Sequence, residues 1–393
     1  MQNLFLEFIT LFTTTQLAIV ITLITSFLGV MIYYLFLFVR VAWHNSNPTG
    51  NATKDTEDVT VVVIIKDDIR FLSEDVNTLL QQEYEANYQV VLVDNQSTQD
   101  QTEELFSIIE KRYSNVYITK IAPTHSGNHH PAQRLAYTIG LKAAKYENVI
   151  FLSSDAFIAS EKWLSTLASS FAHGNIVTTY CRILRSIRAN NKLFRARNSI
   201  QSMLYLAMVA SNNLYMVSES VFGIKKSLFF NNKGFSSYLR LNKGENDLFI
   251  QSIPSRDRKS VLNMNLDAVV EVDPDTEYND YLSIQAYNSY THKYYPFEAK
   301  LYLALYNIFN FLFWSALLVV AIMFISNYII LLSLLGLIVL KLGTLMIILQ
   351  KLSKRTQECI PYLFMIVYDI IAPIEEVLIK LKNIFSPQKN IWI

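Results

Sequence analysis

The chain has 393 residues, enough for one catalytic domain plus additional elements, and 51% of them are hydrophobic while 17% are charged. That mixture excludes both a wholly soluble globule and a bare membrane bundle, and predicts segregation along the chain. Lys and Arg (34) balance Asp and Glu (33), so no charge excess calls for a nucleic-acid partner, and the two cysteines, Cys181 and Cys359, form neither a metal-ligand pattern nor a disulfide framework.

Residues 1–40 read as a membrane anchor, because 17–39 (QLAIVITLITSFLGVMIYYLFLF) carry no charge over a length that crosses roughly 30 Å of hydrocarbon. The basic stretch and small-residue cleavage pattern of a removable leader are missing. Residues 41–58 are polar, with Pro48 and Gly50, and read as a linker. Within 301–350 two further uncharged runs, 301–326 and 328–340, predict a hairpin of spans, the second continuing past Lys341 to about Leu349. Lys and Arg are missing before the first span, then come Arg40, Lys54, Lys66 and Arg70; Lys351, Lys354 and Arg355 follow the third. This distribution predicts a cytosolic domain over 41–300 and an outside N-terminus. In the C-terminal segment 351–393, the apolar stretch 360–379 is interrupted by Pro361, Asp369, Pro373, Glu375 and Glu376. It reads as an amphipathic helix in the interface, with a fourth crossing as the alternative.

Between linker and hairpin the period changes. Val59–Ile65, Tyr88–Val93, Val116–Ile121, Val149–Leu152 and Ile176–Tyr180 are short apolar runs of buried-strand type. Helices are expected over Ser73–Gln82, from Asp100 (capping box with Glu103) to Arg112, over 132–145, and over 160–171 capped by Ser160. Alternation of strand and helix predicts an α/β domain over 59–300 with a parallel sheet and right-handed crossovers. Ligands of such sheets bind at the carboxyl ends of the strands. Acids follow three of these strands: Asp67 and Asp68, Asp94, and Asp155. Together they suit a nucleotide-sugar, which needs acceptors for base and ribose and an acid to hold a divalent cation on the diphosphate.

From about Val59 to Phe249 the chain resembles the family 2 glycosyltransferases of GT-A fold, a Rossmann-like, mostly parallel architecture, and the flanking spans suit the membrane-bound bacterial members. VTVVVIIKDDIRFL is similar to the family's first strand and Asn-Glu turn. VVLVDNQSTQDQT is similar to its Val-Asp-Asp/Asn-x-Ser-Thr-x-Asp segment, the most specific match. The resemblance implies that Asp94 meets the base and Asp68 the nucleoside, with Asp67 beside them. AQRLAYTIGLKAAKYENVIFLSSDAF resembles the stretch leading into the Asp-x-Asp metal motif. Asp155 then takes the second acid, for Mn2+ or Mg2+, Ser153 replaces the first, and Arg134 falls where a lysine near the diphosphate is common. GFSSYLRLNKGENDLFI looks like the family's acceptor segment, which implies a catalytic base at Asp247 or, failing that, Glu245. Gln285 has no Arg-Trp behind it, which departs from processive synthases.

The expectation is a metal-dependent, inverting, non-processive transferase of the bacterial inner membrane that moves sugar from a nucleotide-sugar to a lipid-linked or glycan acceptor in envelope polysaccharide biosynthesis. The rival is a weakened relative that serves as a nucleotide-binding or scaffold subunit. His125, His129 and His130 read as a loop over the donor pocket and match no zinc spacing. Tyr287, Tyr290, Tyr294, Tyr295 and Phe297 read as an interfacial aromatic belt.

Overall fold

A computed structural model describes residues 13–45, 57–121, 132–187, 189–238, 241, 243–273 and 278–385. The histidine loop lies outside the described residues, as do 46–56 of the linker. Ten strands are described: β1 (Val59–Ile65), β2 (Tyr88–Asp94), β3 (Val116–Lys120), β4 (Asn148–Ser153), β5 (Ala156–Ile158), β6 (Ile176–Thr179), β7 (Cys181–Ile183), β8 (Val221–Lys225), β9 (Ser260–Asn263) and β10 (Val270–Val272). The longer helices are α1 (Thr14–Ala42), α2 (Asp100–Arg112), α3 (Ala132–Ala143), α4 (Ala189–Val209), α5 (Tyr278–Ser289), α6 (Phe297–Met323), α7 (Tyr328–Thr356) and α8 (Tyr362–Phe385).

The main sheet runs β3-β2-β1-β4-β8-β6-β9. β1 pairs parallel with β2 and β4, and β2 parallel with β3, as alternation of strand and helix requires. β8 is an antiparallel member of this mostly parallel sheet: it lies antiparallel between β4 and β6. Its register, Ile150 opposite Gly223 and Val177 opposite the same glycine, leaves room there for the Phe171 ring, which a Cβ on Gly223 would meet at 2.6 Å. A second sheet, β5-β10-β7, is built from three short strands.

The two faces of the sheet follow the two-residue period of the strands. Val61, Val63, Leu92 and Leu152 pack with Phe106 and Ile109 of α2 and with Trp163. Val62, Val91, Val93 and Phe151 pack with Ala136 and Leu141 of α3. That second core continues without a break through α4 into Tyr34, Phe38, Tyr306 and Leu349 of the terminal helices. Catalytic domain and apolar helices therefore share one core, and the domain is not a globe on a tether.

The cap expected at Asp100 is corrected: Gln99 is the N-cap, without a side-chain hydrogen bond, and Glu103 pairs instead with Lys120 at 2.6 Å. Lys162, not Ser160, precedes the short helix Trp163–Ala168.

Three helices, α1, α6 and α7, are long and apolar enough to cross a membrane. α8 is not among these three candidates. Its Leu363, Val367, Ile370, Ile374, Val377 and Leu381 point outward at helical spacing, while Met365, Tyr368, Asp369, Ala372 and Glu375 are buried against the protein. Asp369 gathers four helices. Its carboxylate pairs with Lys341 of α7 and accepts from Tyr34 of α1 (3.0 Å) and Trp314 Nε1 of α6 (3.0 Å). Its carbonyl accepts from Asn310 Nδ2 at 2.6 Å. A buried charge in such surroundings persists only when paired and hydrogen-bonded, and here it is both. On its other side α8 is held to α4 by Arg197, 2.5 Å from Glu375 and 3.4 Å from Glu376.

Candidate active site

Strands β1, β2 and β4 end at one edge, and their acids meet there. Asp67 sits in the left-handed region (φ 52°), strain that the surroundings must hold in place. It accepts from the Thr98 amide (2.7 Å), the Gln99 amide (3.0 Å) and the Thr98 hydroxyl (3.2 Å), and its own amide donates to Ser97 Oγ (3.0 Å). Partial burial works against its charge, yet these hydrogen bonds prevail and hold the carboxyl below its usual range. Asp67 thus shapes the 96–99 loop. Asp68 accepts from the Phe71 amide at 3.0 Å. Asp94, buried at the end of β2, accepts from the Ser97 amide at 2.9 Å. Next to it Asn95 is buried, with its amide joined to the Ile65 carbonyl at 2.7 Å and its side-chain oxygen without a hydrogen-bond partner among the described residues. A buried oxygen without a partner costs free energy, and a ligand N–H would satisfy it.

Asp155 lies in the turn between β4 and β5. It is solvent-accessible yet walled closely by protein, as a group lining a cleft is. Loss of hydration raises its pKa, the Ser153 hydroxyl opposes that, and the carboxylates of Asp68 and Glu219 push it up further. Glu219 was not singled out by the sequence. It arrives because the Ser153 amide donates to the Ser220 carbonyl (2.9 Å), which draws the 217–220 loop against the end of β4. Among the described residues no group of three His, Cys, Asp or Glu side chains could hold a metal ion. One carboxylate under pressure from two others is still a place where a divalent cation relieves repulsion, with substrate phosphates supplying further oxygens.

The acceptor segment is built differently. Arg134, on α3, does not face the strand ends. Its Nε is 3.0 Å from Glu245 Oε1, its Nη1 donates to the Tyr238 carbonyl (2.5 Å), and its Nη2 donates to the carbonyls of Lys243 (2.9 Å) and Leu241. The guanidinium is buried and fully engaged with Tyr238, Leu241, Lys243 and Glu245, so the expected contact with a diphosphate is not what this side chain makes. Gly244 (φ 137°) turns the chain into Glu245, whose Oε2 accepts the Gly244 amide at 3.0 Å. Burial raises the pKa of Glu245, against the pull of Arg134. Asp247 caps the short helix Leu248–Ser252: Oδ1 accepts the Leu248 amide (2.6 Å), and Oδ2 accepts the hydroxyls of Tyr295 (2.8 Å) and Thr291. Tyr295 is therefore turned inward, a correction to its place in the aromatic belt, while Tyr294 and Phe297 remain exposed.

Burial raises the pKa of Tyr137 on α3, and the charges of Glu245, Glu219 and Asp155 raise it further. Asp247 faces Thr291 and Tyr295, next to the start of α6. The 217–220 loop is stitched to the acceptor segment by two hydrogen bonds, Val217 N to Asn246 O (3.0 Å) and Asn246 Nδ2 to Val217 O (3.2 Å).

Residues 60–231 match the family model of glycosyl transferase family 2. Among solved structures, a mannosyltransferase from Pyrobaculum calidifontis in complex with GDP-Man and Mn2+ aligns over 95% of this chain and 99% of its own, at 13% identity and a TM-score of 0.59. S. aureus TarS 1-349 in complex with UDP aligns over 86% of this chain and 94% of its own, at 18% identity and a TM-score of 0.41. No curated protein matches the chain. The family match covers the strand ends that carry Asp67, Asp68, Asp94 and Asp155, the likeness to the mannosyltransferase extends the fold over the rest, and together they support a glycosyl transfer enzyme whose residues 60–231 match glycosyl transferase family 2.

Proposed function

We propose that this enzyme transfers a sugar from a nucleotide-sugar to a lipid-linked or glycan acceptor at the cytosolic face of a bacterial inner membrane, with inversion and one sugar per encounter. The observation that carries the reading is the parallel pairing of β1 with β2 and with β4, which ends the three strands at one edge with Asp67 and Asp68, Asp94 and Asp155. Asp94 and Asn95 seat the base, Asp68 the nucleoside, and Asp67 holds the 96–99 loop around them. Asp155 would hold Mn2+ or Mg2+, which when bound supplies positive charge to the leaving diphosphate. The Mn2+ and GDP-Man in the mannosyltransferase and the UDP in TarS are ligands of those proteins, and support nucleotide and metal as probes here.

Of the two acids in the acceptor segment, Glu245 suits the base. It is buried against Arg134, and burial raises its pKa, which makes its carboxylate a stronger base than an ordinary one. Arg134 orients it. Asp247, which the sequence favoured, caps Leu248–Ser252 and ties the segment to Thr291 and Tyr295. α8 offers an outward apolar face, which supports a helix lying in the interface, where a lipid-linked acceptor arrives.

The test is calorimetric titration of the detergent-purified protein with UDP and GDP, with and without Mn2+. One nucleotide should bind in a metal-dependent way, and Asp155→Ala should remove the metal dependence. Failure of both nucleotides under every metal condition would sink the donor site.

A further inference from the structure

Arg134 is spent inside the acceptor segment, and Arg70 is committed to Asp75 (3.1 Å), the Ser154 carbonyl (3.4 Å) and the Phe157 ring (4.1 Å). Lys243 stands differently. Its Nζ is 2.8 Å from Glu219 Oε1, donates to Asn288 Oδ1, and lies 5.4 Å from the Tyr287 ring. Asn288 Nδ2 closes the triangle on Glu219 Oε2 at 3.0 Å. The Lys243 side chain is 13% exposed and that of Glu219 41%, so the pair straddles the rim of the site.

We propose that Lys243 receives a phosphate oxyanion of the substrate, and that the Glu219–Lys243 pair is a resting latch which this oxyanion replaces. The inference rests on the nucleotide-sugar reading above. Three features carry it. First, an ion pair with a half-exposed partner is weak, and a doubly charged phosphate competes well for the ammonium. Second, the Lys243 backbone is anchored, since its carbonyl accepts from Arg134, while its four-carbon stem has the rotatable bonds to re-aim the ammonium once Glu219 lets go. Third, the Ser153 amide holds the Ser220 carbonyl at 2.9 Å, which ties the loop of Glu219, and the cation that Glu219 holds, to the end of β4 where Asp155 follows. Release from Glu219 and capture by phosphate move one positive charge towards the bond that breaks, where negative charge develops on the leaving group.

A diphosphate of the donor and a phosphate of a lipid acceptor share this chemistry, and the experiment separates them. Full-length Lys243→Met, Glu219→Gln and the double variant are titrated in nanodiscs with UDP and GDP, with UMP and GMP, and with a polyprenyl phosphate. Lys243→Met is expected to weaken the diphosphate about tenfold and the monophosphate less than twofold, about 1.4 kcal/mol against a negligible change. Glu219→Gln should tighten the diphosphate in the wild-type background and do little once Lys243 is Met, because its effect runs through the lysine. Lys243→Arg should keep most of the affinity. If the loss falls on the polyprenyl phosphate instead, the oxyanion belongs to the acceptor. The proposal is overturned if Lys243→Met leaves all ligands within twofold while the protein melts as wild type. It is overturned as well if Glu219→Gln tightens the diphosphate equally in both backgrounds, which would be plain repulsion. Failure of wild type to bind UDP or GDP would sink the donor reading itself and not this step alone.

Discussion

Asp155 and Glu245 are both carboxylates whose pKa is raised first by loss of hydration, yet the two regions that carry them are built on opposite principles. At the strand ends, Asp155 is accessible and the charges of Asp68 and Glu219 push its pKa up further. In the acceptor segment, Glu245 is 3% exposed and Arg134 stands against it. The first arrangement stores repulsion that a bound cation relieves. The second pairs its acid with Arg134 and so fixes it in place. The difference teaches that residue type and strand-end position predict where acids gather, while burial and partners decide how each of them is held.

Breaking the frame should have the largest effect. Arg134→Ala leaves Glu245 buried without its partner and three carbonyls without a donor, so stability should fall by about 3–5 kcal/mol. Arg134→Lys should recover only part, because an ammonium cannot reproduce the fork. Thermal unfolding in detergent measures both, and a change within experimental error for Arg134→Ala would mean that the segment is held by other contacts.

Breaking the open side should cost activity without stability. Asp155→Asn should lower kcat/KM by about 10²–10³ through lost stabilisation of the leaving group, while the melting temperature stays near that of wild type because the side chain is accessible. A melting temperature that falls together with activity would erase the contrast between the two regions.

A third carboxylate sharpens the contrast. Glu358, just past α7, is buried, with Oε2 accepting from the Tyr180 hydroxyl (3.2 Å) and the Ile183 amide (3.2 Å), and Oε1 without a hydrogen-bond partner among the described residues. Burial pushes its carboxyl up to about 7 from an ordinary 4.5. The folded protein then binds this proton more tightly than the unfolded chain. Stability from this group is full below about 4.5 and is lost as pH rises through about 7. Glu358→Gln should flatten that loss and melt higher than wild type at pH 8, as read by melting curves from pH 5 to 8. An unchanged slope would show that the carboxyl is ionised in the fold without penalty.

The smallest effect is expected at Asp67, where Asp67→Ala removes the acceptor for two loop amides and places an alanine in the left-handed region, costing about 0.5–2 kcal/mol. Nucleotide affinity should fall with it, since the 96–99 loop loses its anchor. Asp67→Asn should lie between. Chemical denaturation and UDP titration read the two consequences separately.

What the sequence determined by itself is what short range and periodicity control. Val59–Ile65, five apolar and β-branched runs, and the uncharged spans announced the strands, the parallel core of the sheet and the terminal helices, because burial of a repeating apolar face is a local demand. Strand-end acids Asp67, Asp68, Asp94 and Asp155 followed from topology alone. Tertiary structure decided the rest. β8 enters antiparallel between β4 and β6, which brings Glu219 to Asp155 from a distance in sequence that no spacing rule covers. Arg134 turns towards Glu245, 111 residues away, and Tyr295 turns towards Asp247, 48 residues away. Lys341 and Asp369 looked like interruptions of apolar runs and are each other's partner. Each of these is a choice of partner for a polar group about to be buried, and only the folded chain contains the list of partners from which that choice is made.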